Sequence, residues 1–361
     1  MTSPTWDADA FRSRLQSTLD AFIDEQGRAL TPLGPDAARL VRAAVDAVSG
    51  GKRLRAMFCF WGFHAVRAPS DAAEETALVR AAAALELLHA SALVHDDLMD
   101  ASDTRRGRPS VHRAFATRHQ AEGWRGDPEQ YGAAAAILLG DLLLSWADEL
   151  LRTCGAASEQ VLAALRWFDT TRSEVIGGQF LDVSVQARGA ADAEQSMTVL
   201  RYKSAKYSVE RPLHVGAALA GAPDEVIQAL SAYGVPLGEA FQLRDDLLGV
   251  FGDPEVTGKP AGDDLTEGKR TVLVALALDA LDSVEPEAAK HLDDSLGLPL
   301  SGTEVAELQR LIVRSGAQAQ VEERIDALME RSLTALDRSA VRPEAKATLR
   351  TLAAAATQRV V

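Results

Sequence analysis

The sequence predicts an all-α fold, a single-domain bundle of long helices. Its longer segments are rich in Ala, Leu, Glu and Arg, which favour helix, and apolar residues recur every three or four positions. Clusters of β-branched residues bounded by turn signals are scarce, which argues against a sheet. No low-complexity linker divides the 361 residues. We therefore expect one helical domain over residues 1–361, with its motifs concentrated between about 50 and 270.

Breaks between the helical segments can be placed in order along the chain. Phe11, Leu15, Leu19 and Phe22 share one face of the first helix, and Gly50-Gly51 closes the second helix. Residues 101–130 and 252–268 contain many Gly and Pro residues and are predicted loops, the first with at most a short helix. The predicted helices cover residues 7–27, 36–48, 52–67, 72–100, 131–153, 158–187, 193–208, 209–221, 224–250, 270–282, 285–293, 303–314, 317–339 and 343–357.

Composition excludes several classes of protein. The formal net charge of −14 argues against a general nucleic-acid binder, because phosphate backbones require a basic surface. Cys59 and Cys154 each stand in an apolar context, which predicts two buried, reduced thiols rather than a disulfide. The polar N-terminus does not resemble a signal peptide, and no uncharged run approaches the roughly 20 residues of a membrane span. We expect a soluble cytoplasmic protein.

Two acidic clusters, each after an apolar run, are the most informative motifs. Asp96-Asp97-Leu98-Met99-Asp100 ends the segment 72–100, and Asp245-Asp246 lies near the end of 224–250. Asp96 and Asp100 are four residues apart, so both lie on one helix face, where like charges repel unless a cation binds between them. Mg²⁺ takes carboxylate oxygens together with water or substrate phosphates. The pattern therefore predicts divalent-metal sites, the alternative being solvated helix ends.

Basic residues accompany these clusters in a strongly acidic chain. Gly50-Gly51-Lys52-Arg53-Leu54-Arg55 combines glycines, which let a backbone approach a phosphate, with three cations. Arg105 and Arg106 follow the first acidic cluster. His89 lies two helical turns before Asp96 and is able to donate a hydrogen bond to a phosphate. Further polar candidates are Lys203, Gln242, Lys259 and Lys269.

In this order, the motifs resemble those of the trans-isoprenyl diphosphate synthases, the polyprenyl synthetase family, and most closely its bacterial geranylgeranyl diphosphate synthases. The resemblance runs from about Gly50 to Lys269. It consists of Gly-Gly-Lys-Arg-x-Arg, His-x6-Asp-Asp-x-x-Asp with Arg-Arg-Gly behind it, the pair Lys203-Ser204, Phe-Gln-x-x-Asp-Asp, and the Gly-Lys…Asp-Leu-x-x-Gly-Lys loop. It implies the all-α isoprenoid synthase fold, with long helices around a central cavity, and a homodimer.

The same resemblance implies roles for individual residues. Direct ligands of about three Mg²⁺ ions would be Asp96, Asp100 and Asp245, supported by Asp97, Asp246 and Asp264. Arg105, Lys203, Lys259 and Lys269 would hold the allylic diphosphate, and Lys52, Arg55, His89 and Arg106 would hold isopentenyl diphosphate. The chain departs from the family pattern at Ala56, where Pro is common, and at Gly249, where a third Asp would complete the second cluster.

The implied reaction is a head-to-tail condensation of isopentenyl diphosphate with an allylic diphosphate, with release of pyrophosphate. Lys203, Gln242 and the aspartates of both clusters would act in catalysis. Product length should depend on the side chains above Asp96, and the small Ser91 and Ala92 lie where an aromatic residue would close a pocket early. Leu88 lies one turn further along and is a candidate for its floor. These residues favour geranylgeranyl diphosphate (C20).

Several alternatives remain open from sequence. The same reaction could give a farnesyl (C15) product or one of C25 and above. A class I terpene cyclase shares the fold and the first acidic cluster but needs no isopentenyl site, so the basic motif at Gly50–Arg55 argues against it. A non-catalytic subunit of a heteromeric synthase usually lacks the acidic clusters, and only Gly249 points that way. A helical scaffold protein would bind no diphosphate at all.

Overall fold

The computed structural model describes residues 6–189, 192–253 and 261–357, and helices make up nearly all of this part of the chain. The α-helices span Ala8–Leu30, Pro35–Ala47, Leu54–Val66, Ala72–Met99, Val111–Ala121, Pro128–Arg152, Ser158–Arg188, Ala193–Val199, Arg211–Leu219, Asp224–Phe251, Asp263–Thr266, Val272–Val284, Pro286–Ser295, Gly302–Arg314, Ala317–Arg338 and Pro343–Thr357. A 3₁₀ turn covers Thr31–Leu33, and a π-helix covers Leu200–Glu210. The predicted all-α class is confirmed.

The chain forms two compact units, each built from several segments. Unit 1 contains Met1–Asp169, Pro212–Ile227 and Val341–Leu349. Unit 2 contains Thr170–Arg211, Gln228–Ala340 and Arg350–Val361. The expectation of a single domain over 1–361 stays a prediction.

In unit 1 the core is centred on the helix Ala72–Met99, which we call the first acidic helix. It begins where the Asp71 side chain accepts a hydrogen bond from the Glu74 backbone N–H, an N-cap that Asp commonly forms. It packs most extensively against Pro128–Arg152 and also contacts Ala8–Leu30 and Leu54–Val66. Its composition would suit a membrane span, but 78% of its apolar stretch is buried inside the protein, as in the core helix of a soluble domain.

In unit 2 the core surrounds the helix Asp224–Phe251, which we call the second acidic helix. Leu243, Leu247 and Val250 of this helix are fully buried and pack into one apolar cluster with the helices Val272–Val284 and Gly302–Arg314. The second of these begins with a reciprocal capping box between Ser301 and Glu304. The polar ends of the helices are therefore satisfied locally while their apolar faces build the core.

Two segments differ from the sequence-based expectation. The predicted loop 101–130 contains a two-strand hairpin, Thr104–Arg105 with Arg108–Pro109, and the helix Val111–Ala121. That helix forms because His112, Phe115, Ala116 and His119, spaced three or four residues apart, are buried. The segment 193–221 is one α-helix, a π-helix and another α-helix instead of two α-helices with a break near 208.

Candidate active site

The first acidic cluster is held against a neighbouring helix in unit 1. The Ser91 hydroxyl donates a hydrogen bond to the Gly140 carbonyl at 2.7 Å, and the His95 ring packs where a side chain at Gly140 would lie. The His95 Nε2 atom is 3.2 Å from the Ile137 carbonyl oxygen. Gly140 thus allows the close helix approach that fixes the turn immediately before Asp96.

Within this cluster, the three aspartates have different surroundings. Asp97 is buried, and Nε of Arg105 donates to its carboxylate at 2.7 Å. Asp96 is half-buried, with an Arg105 guanidinium nitrogen 3.7 Å from its Oδ2. Asp100 is also half-buried and caps the helix end, its backbone N–H donating to the Asp96 carbonyl. Asp96 and Asp100 therefore carry the more accessible carboxylates, and Asp97 orients Arg105.

A hairpin places Arg106 against the glycine turn that precedes Lys52. Arg106 and Gly107 are its two turn residues and both have positive φ, as a type I′ turn requires. The Arg106 guanidinium donates to the Ser49 carbonyl at 2.7 Å, and a Cβ on Gly51 would lie 3.1 Å from one of its nitrogen atoms. Gly51 has φ of 92°, a backbone conformation that favours glycine in this turn.

His89 is half-buried and lies among arginines. Its pKa is held well below the usual histidine value of 6.5, first by burial and then by the charges of Arg55, Arg106, Arg105 and Arg53. Burial and the same positive neighbourhood also lower the pKa of Arg106. Lys52 is exposed and Arg55 is half-buried. Unit 1 therefore brings together His89, Arg55, Arg105 and Arg106 as a cationic cluster around a neutral imidazole, the chemistry expected of an anion site.

A buried ion pair that sequence reasoning missed supports this basic segment. Arg53, with φ of 57°, bonds to Glu86 at 3.0 Å, and both side chains are about 95% buried. The second Glu86 oxygen accepts a hydrogen bond from the Ala56 backbone N–H at 3.2 Å. Glu86 is the lone charged residue in the buried run Ala81–Leu88, and that isolation was the available sequence signal.

The second acidic cluster lies in unit 2. Gln242 donates to the Asp246 carboxylate at 2.9 Å, and Asp245 is half-buried. Burial, followed by the negative charges of Asp264 and Asp245, raises the pKa of Asp246 to about 8. A Cβ on Gly249 would lie 2.0 Å from an Asp264 carboxylate oxygen. The space of the missing third aspartate side chain is thus filled by the carboxylate of Asp264.

Lysines border the acidic residues of unit 2. Lys269 lies 3.3 Å from Asp264 and 2.5 Å from Glu267. Lys203, in the π-helix, lies 2.5 Å from Asp182, an acidic residue that sequence reasoning missed. Gly177-Gly178 in the middle of a helix, four residues before Asp182, was the available signal of a close contact. Lys259 falls outside the described residues.

The donor set of these clusters fits Mg²⁺. Each cluster offers carboxylate oxygens, which are the ligands of hard cations. The pKa of Asp246 is raised first by burial and then by the negative charges of Asp264 and Asp245, and a bound cation would offset those charges. Among the described residues, no group of three His, Cys, Asp or Glu side chains is arranged to hold a metal alone. Mg²⁺ commonly binds through one or two carboxylates together with substrate phosphates, so this arrangement suits a metal that arrives with its substrate.

The residues proposed for the chain-length pocket lie on the first acidic helix. Leu88 and Ser91 are buried, and Ala92 is half-buried. The Ser91 hydroxyl is directed to Gly140 by its hydrogen bond, whereas Ala92 and Leu88, four residues apart, share a helix face. The assignment of all three to a pocket stays a prediction.

Comparisons with known proteins identify the family and the fold of the chain. The family model described as polyprenyl synthetase matches residues 38–312. A crystal structure of geranylgeranyl pyrophosphate synthase from Corynebacterium glutamicum, complexed with isoprenyl diphosphate and magnesium, is 41% identical, with a TM-score of 0.95 over 98% of this chain and 100% of that chain. The isoprenoid synthase fold is therefore confirmed.

Two sequence relatives carry different product names. A geranylfarnesyl diphosphate synthase from Aeropyrum pernix is 32% identical over 92% of this chain and 97% of its own length. A (2E,6E)-farnesyl diphosphate synthase from Mycobacterium bovis is 36% identical over 74% of this chain and 68% of its own length. The reaction class is common to these relatives, whereas the length of the product differs among them.

Proposed function

This chain belongs to the polyprenyl synthetase family and is a prenyl diphosphate synthase, and we propose that its product is geranylgeranyl diphosphate (C20). The substrates in this proposal are isopentenyl diphosphate and an allylic diphosphate, joined head to tail with release of pyrophosphate. The observation that supports condensation of two diphosphates is the cationic cluster around neutral His89, on the same helix as Asp96. A site for a second diphosphate is what distinguishes a synthase from a cyclase.

In the proposed mechanism the acidic clusters serve the departing pyrophosphate. Asp96, Asp100 and Asp245 would hold Mg²⁺, which when bound neutralises the charge that develops as the allylic C–O bond breaks. Asp97 keeps Arg105 oriented, and Gln242 holds the Asp246 carboxylate. Positive charge that is already in position before the reaction begins lowers the activation barrier, because the protein does not have to reorganise while the bond breaks.

Basic residues would hold the two diphosphates. Arg105, Lys203, Lys259 and Lys269 are assigned to the allylic diphosphate, and Lys52, Arg55, His89 and Arg106 to isopentenyl diphosphate. Neutral His89 donates a hydrogen bond, while the guanidinium groups beside it supply the charge. Holding both substrates in a reactive orientation converts the condensation into an effectively unimolecular step. The double bond of isopentenyl diphosphate then attacks the allylic cation, and the proton lost is assigned to pyrophosphate.

The C20 assignment rests on the small Ala92. It lies four residues before Asp96 on the first acidic helix and is half-buried. A methyl group there leaves room for a growing chain that an aromatic side chain would block. Buried Leu88, one turn further from Asp96, is the proposed floor.

We also propose a cytoplasmic homodimer. In unit 1 the helix Pro128–Arg152 leaves Leu138 61% exposed, and in unit 2 the helix Ser158–Arg188 leaves Phe180 71% exposed. Apolar side chains of this size on a helix surface suit contact with a second copy of the chain. Cys59 and Cys154 are free and buried, as in a protein of a reducing compartment.

The test of the reaction class is the substrate requirement for pyrophosphate release. We expect release only with Mg²⁺, isopentenyl diphosphate and an allylic diphosphate together. Replacing Arg55 by Ala should raise KM for isopentenyl diphosphate, whereas the exposed Lys290→Ala should leave it unchanged. Pyrophosphate and hydrocarbon formed from a prenyl diphosphate alone would instead identify a terpene cyclase.

A further inference from the structure

The segment that carries Lys203 has an unusual backbone. Residues Leu200–Glu210 form a π-helix between the α-helices Ala193–Val199 and Arg211–Leu219. Such windings are rare, and they occur often at functional sites because their hydrogen bonding is less favourable than that of an α-helix. Contacts from neighbouring helices must therefore stabilise this segment, and they can be identified on two of its sides.

On one side, a single face of the helix Ser158–Arg188 contacts the π-helix. Glu174, Gly178 and Asp182 are spaced four residues apart and share that face. Glu174 pairs with Lys206 at 2.9 Å, and Asp182 pairs with Lys203 at 2.5 Å. Between them, a Cβ on Gly178 would lie 2.3 Å from the backbone nitrogen of Lys203. The absence of a side chain at Gly178 is what allows both ion pairs to form.

On another side, the second acidic helix makes an equivalent approach. A Cβ on Gly238 would lie 2.4 Å from the Ala205 carbonyl oxygen. The next residue, Glu239, pairs with Arg201 at 2.5 Å and is buried. Each of the two neighbouring helices thus contacts the π-helix in the same two ways. A glycine lies against the backbone of the π-helix, and an acidic residue pairs with a basic side chain of the π-helix.

We propose that Gly178 and Gly238 are positioning residues that clasp the π-helix and thereby set the position of Lys203, an inference that rests on the proposed binding of the allylic diphosphate by Lys203. A side chain at either glycine meets backbone atoms, which cannot move aside as a flexible side chain does. The π-helix would have to shift, and the Lys203 amino group would shift with it. Affinity for the allylic diphosphate would fall, whereas the residues assigned to isopentenyl diphosphate belong to unit 1.

The same helix supplies a matched control. Gly177 adjoins Gly178 in sequence, but a Cβ there would meet no atom within 4 Å. Replacing a helical glycine by alanine normally stabilises a helix, so Gly177→Ala should fold at least as well as the parent chain. Because residue 177 is exposed, light scattering is used to check that the Gly177→Ala variant has the same oligomeric state as the parent chain.

The experiment compares Gly178→Ala, Gly238→Ala and Gly177→Ala. Calorimetry measures binding of the unreactive geranyl thiodiphosphate with Mg²⁺ and binding of isopentenyl diphosphate, and thermal melting confirms folding. We expect Gly178→Ala and Gly238→Ala to weaken the thiodiphosphate about tenfold to a hundredfold, the loss typical of one charge-assisted contact, and to leave isopentenyl diphosphate unchanged. Gly177→Ala should bind both ligands as the parent does.

A double-mutant cycle separates positioning of Lys203 from a general structural role. If Gly178 acts through Lys203, Gly178→Ala should add little loss in a Lys203→Ala background. Four results would each overturn the clasp. They are additive losses of affinity in the cycle, equally weakened binding of both ligands, unchanged binding of the thiodiphosphate, and failure of both glycine variants to fold. A Lys203→Ala variant that binds the thiodiphosphate normally would instead reject the role proposed for Lys203, and the clasp with it.

Discussion

The Asp264 carboxylate lies where a side chain on Gly249 would be, 2.0 Å from the position of its Cβ. Gly249 was the one departure in the second acidic cluster that put catalysis in question. The structure places Asp264 there, and its negative charge acts on Asp246. The two positions therefore exclude each other, since the Asp264 carboxylate from the short helix Asp263–Thr266 and a side chain at position 249 cannot both occupy this space.

Restoring the aspartate at position 249 should accordingly be harmful. We expect Gly249→Asp to lower Mg²⁺-dependent turnover about tenfold to a hundredfold, as for loss of a residue that supports a metal ligand. Combining it with Asp264→Gly should recover part of that loss, because one carboxylate then remains. Turnover of Gly249→Asp equal to that of the parent chain would show that the two side chains can coexist.

Both acidic clusters should be required for turnover. We expect Asp96→Asn and Asp245→Asn each to lower kcat on the order of a hundredfold, because each removes a negatively charged metal ligand. The exposed Asp279→Asn provides a control of the same chemistry. Steady-state rates across a Mg²⁺ titration check this expectation. A variant that reaches the parental kcat at saturating Mg²⁺ would remove that aspartate from the proposed ligand set.

The buried pair of Arg53 and Glu86 should contribute strongly to stability. Glu86→Ala leaves a buried guanidinium without its carboxylate, so we expect a loss of about 3–5 kcal/mol in the free energy of unfolding. Glu285→Ala removes the partner of Arg314 in an exposed pair and should cost no more than about 1 kcal/mol. Urea denaturation of both variants tests this contrast. Equal losses in the free energy of unfolding would mean that the buried pair does not stabilise the basic segment more than an exposed pair would.

His89 should remain neutral in the ligand-free protein between pH 8 and 6. Its pKa in the folded state lies below the unfolded value near 6.5, so the unfolded chain gains the proton first as pH falls. Stability associated with His89 is therefore present above pH 6.5 and declines below it. Histidine NMR, assigned with His89→Gln, should show no titration of this ring between pH 8 and 6. A midpoint at or above 6.5 would contradict the cationic surroundings.

Product length should respond to position 92 and not to the hydroxyl at position 91. Ala92→Phe places an aromatic ring four residues before Asp96, and we expect it to shorten the product. Ser91→Ala removes the hydrogen bond to Gly140 and should cost about 1 kcal/mol of stability with little change in chain length. Chromatography of the dephosphorylated products measures both. An unchanged product from Ala92→Phe would reject the pocket assignment.

Local sequence signals predicted most of the fold. The Gly50-Gly51 turn and the apolar spacing of the first helix each appear where these signals place them. The π-helix was not predictable in the same way, because its winding depends on contacts from other helices at Gly178 and Gly238. The prediction allowed a short helix within 101–130 but did not locate Val111–Ala121, because the surrounding Gly and Pro residues concealed a short run of buried side chains.

The motifs predicted the residues that carry the chemistry of the site better than the residues that hold them in place. Asp96 and Asp245 stood out because charged residues ended apolar runs, and His89 stood out because it lies two helical turns before Asp96. Glu86 and Asp182 lie within helices, and their ion-pair partners, Arg53 and Lys203, are distant from them in sequence. The contact between Gly249 and Asp264 joins the second acidic helix to the short helix Asp263–Thr266, fifteen residues further along the chain, and no rule of sequence spacing predicts it.

The most direct test of the central claim is product analysis after incubation of the purified chain with labelled isopentenyl diphosphate and dimethylallyl, geranyl or farnesyl diphosphate, with and without Mg²⁺. The account predicts a C20 diphosphate that forms only when Mg²⁺ is present. A C15 product, or one of C25 and above, would keep the reaction and reject the pocket at Leu88 and Ala92. No condensation with any of the three primers would contradict the account.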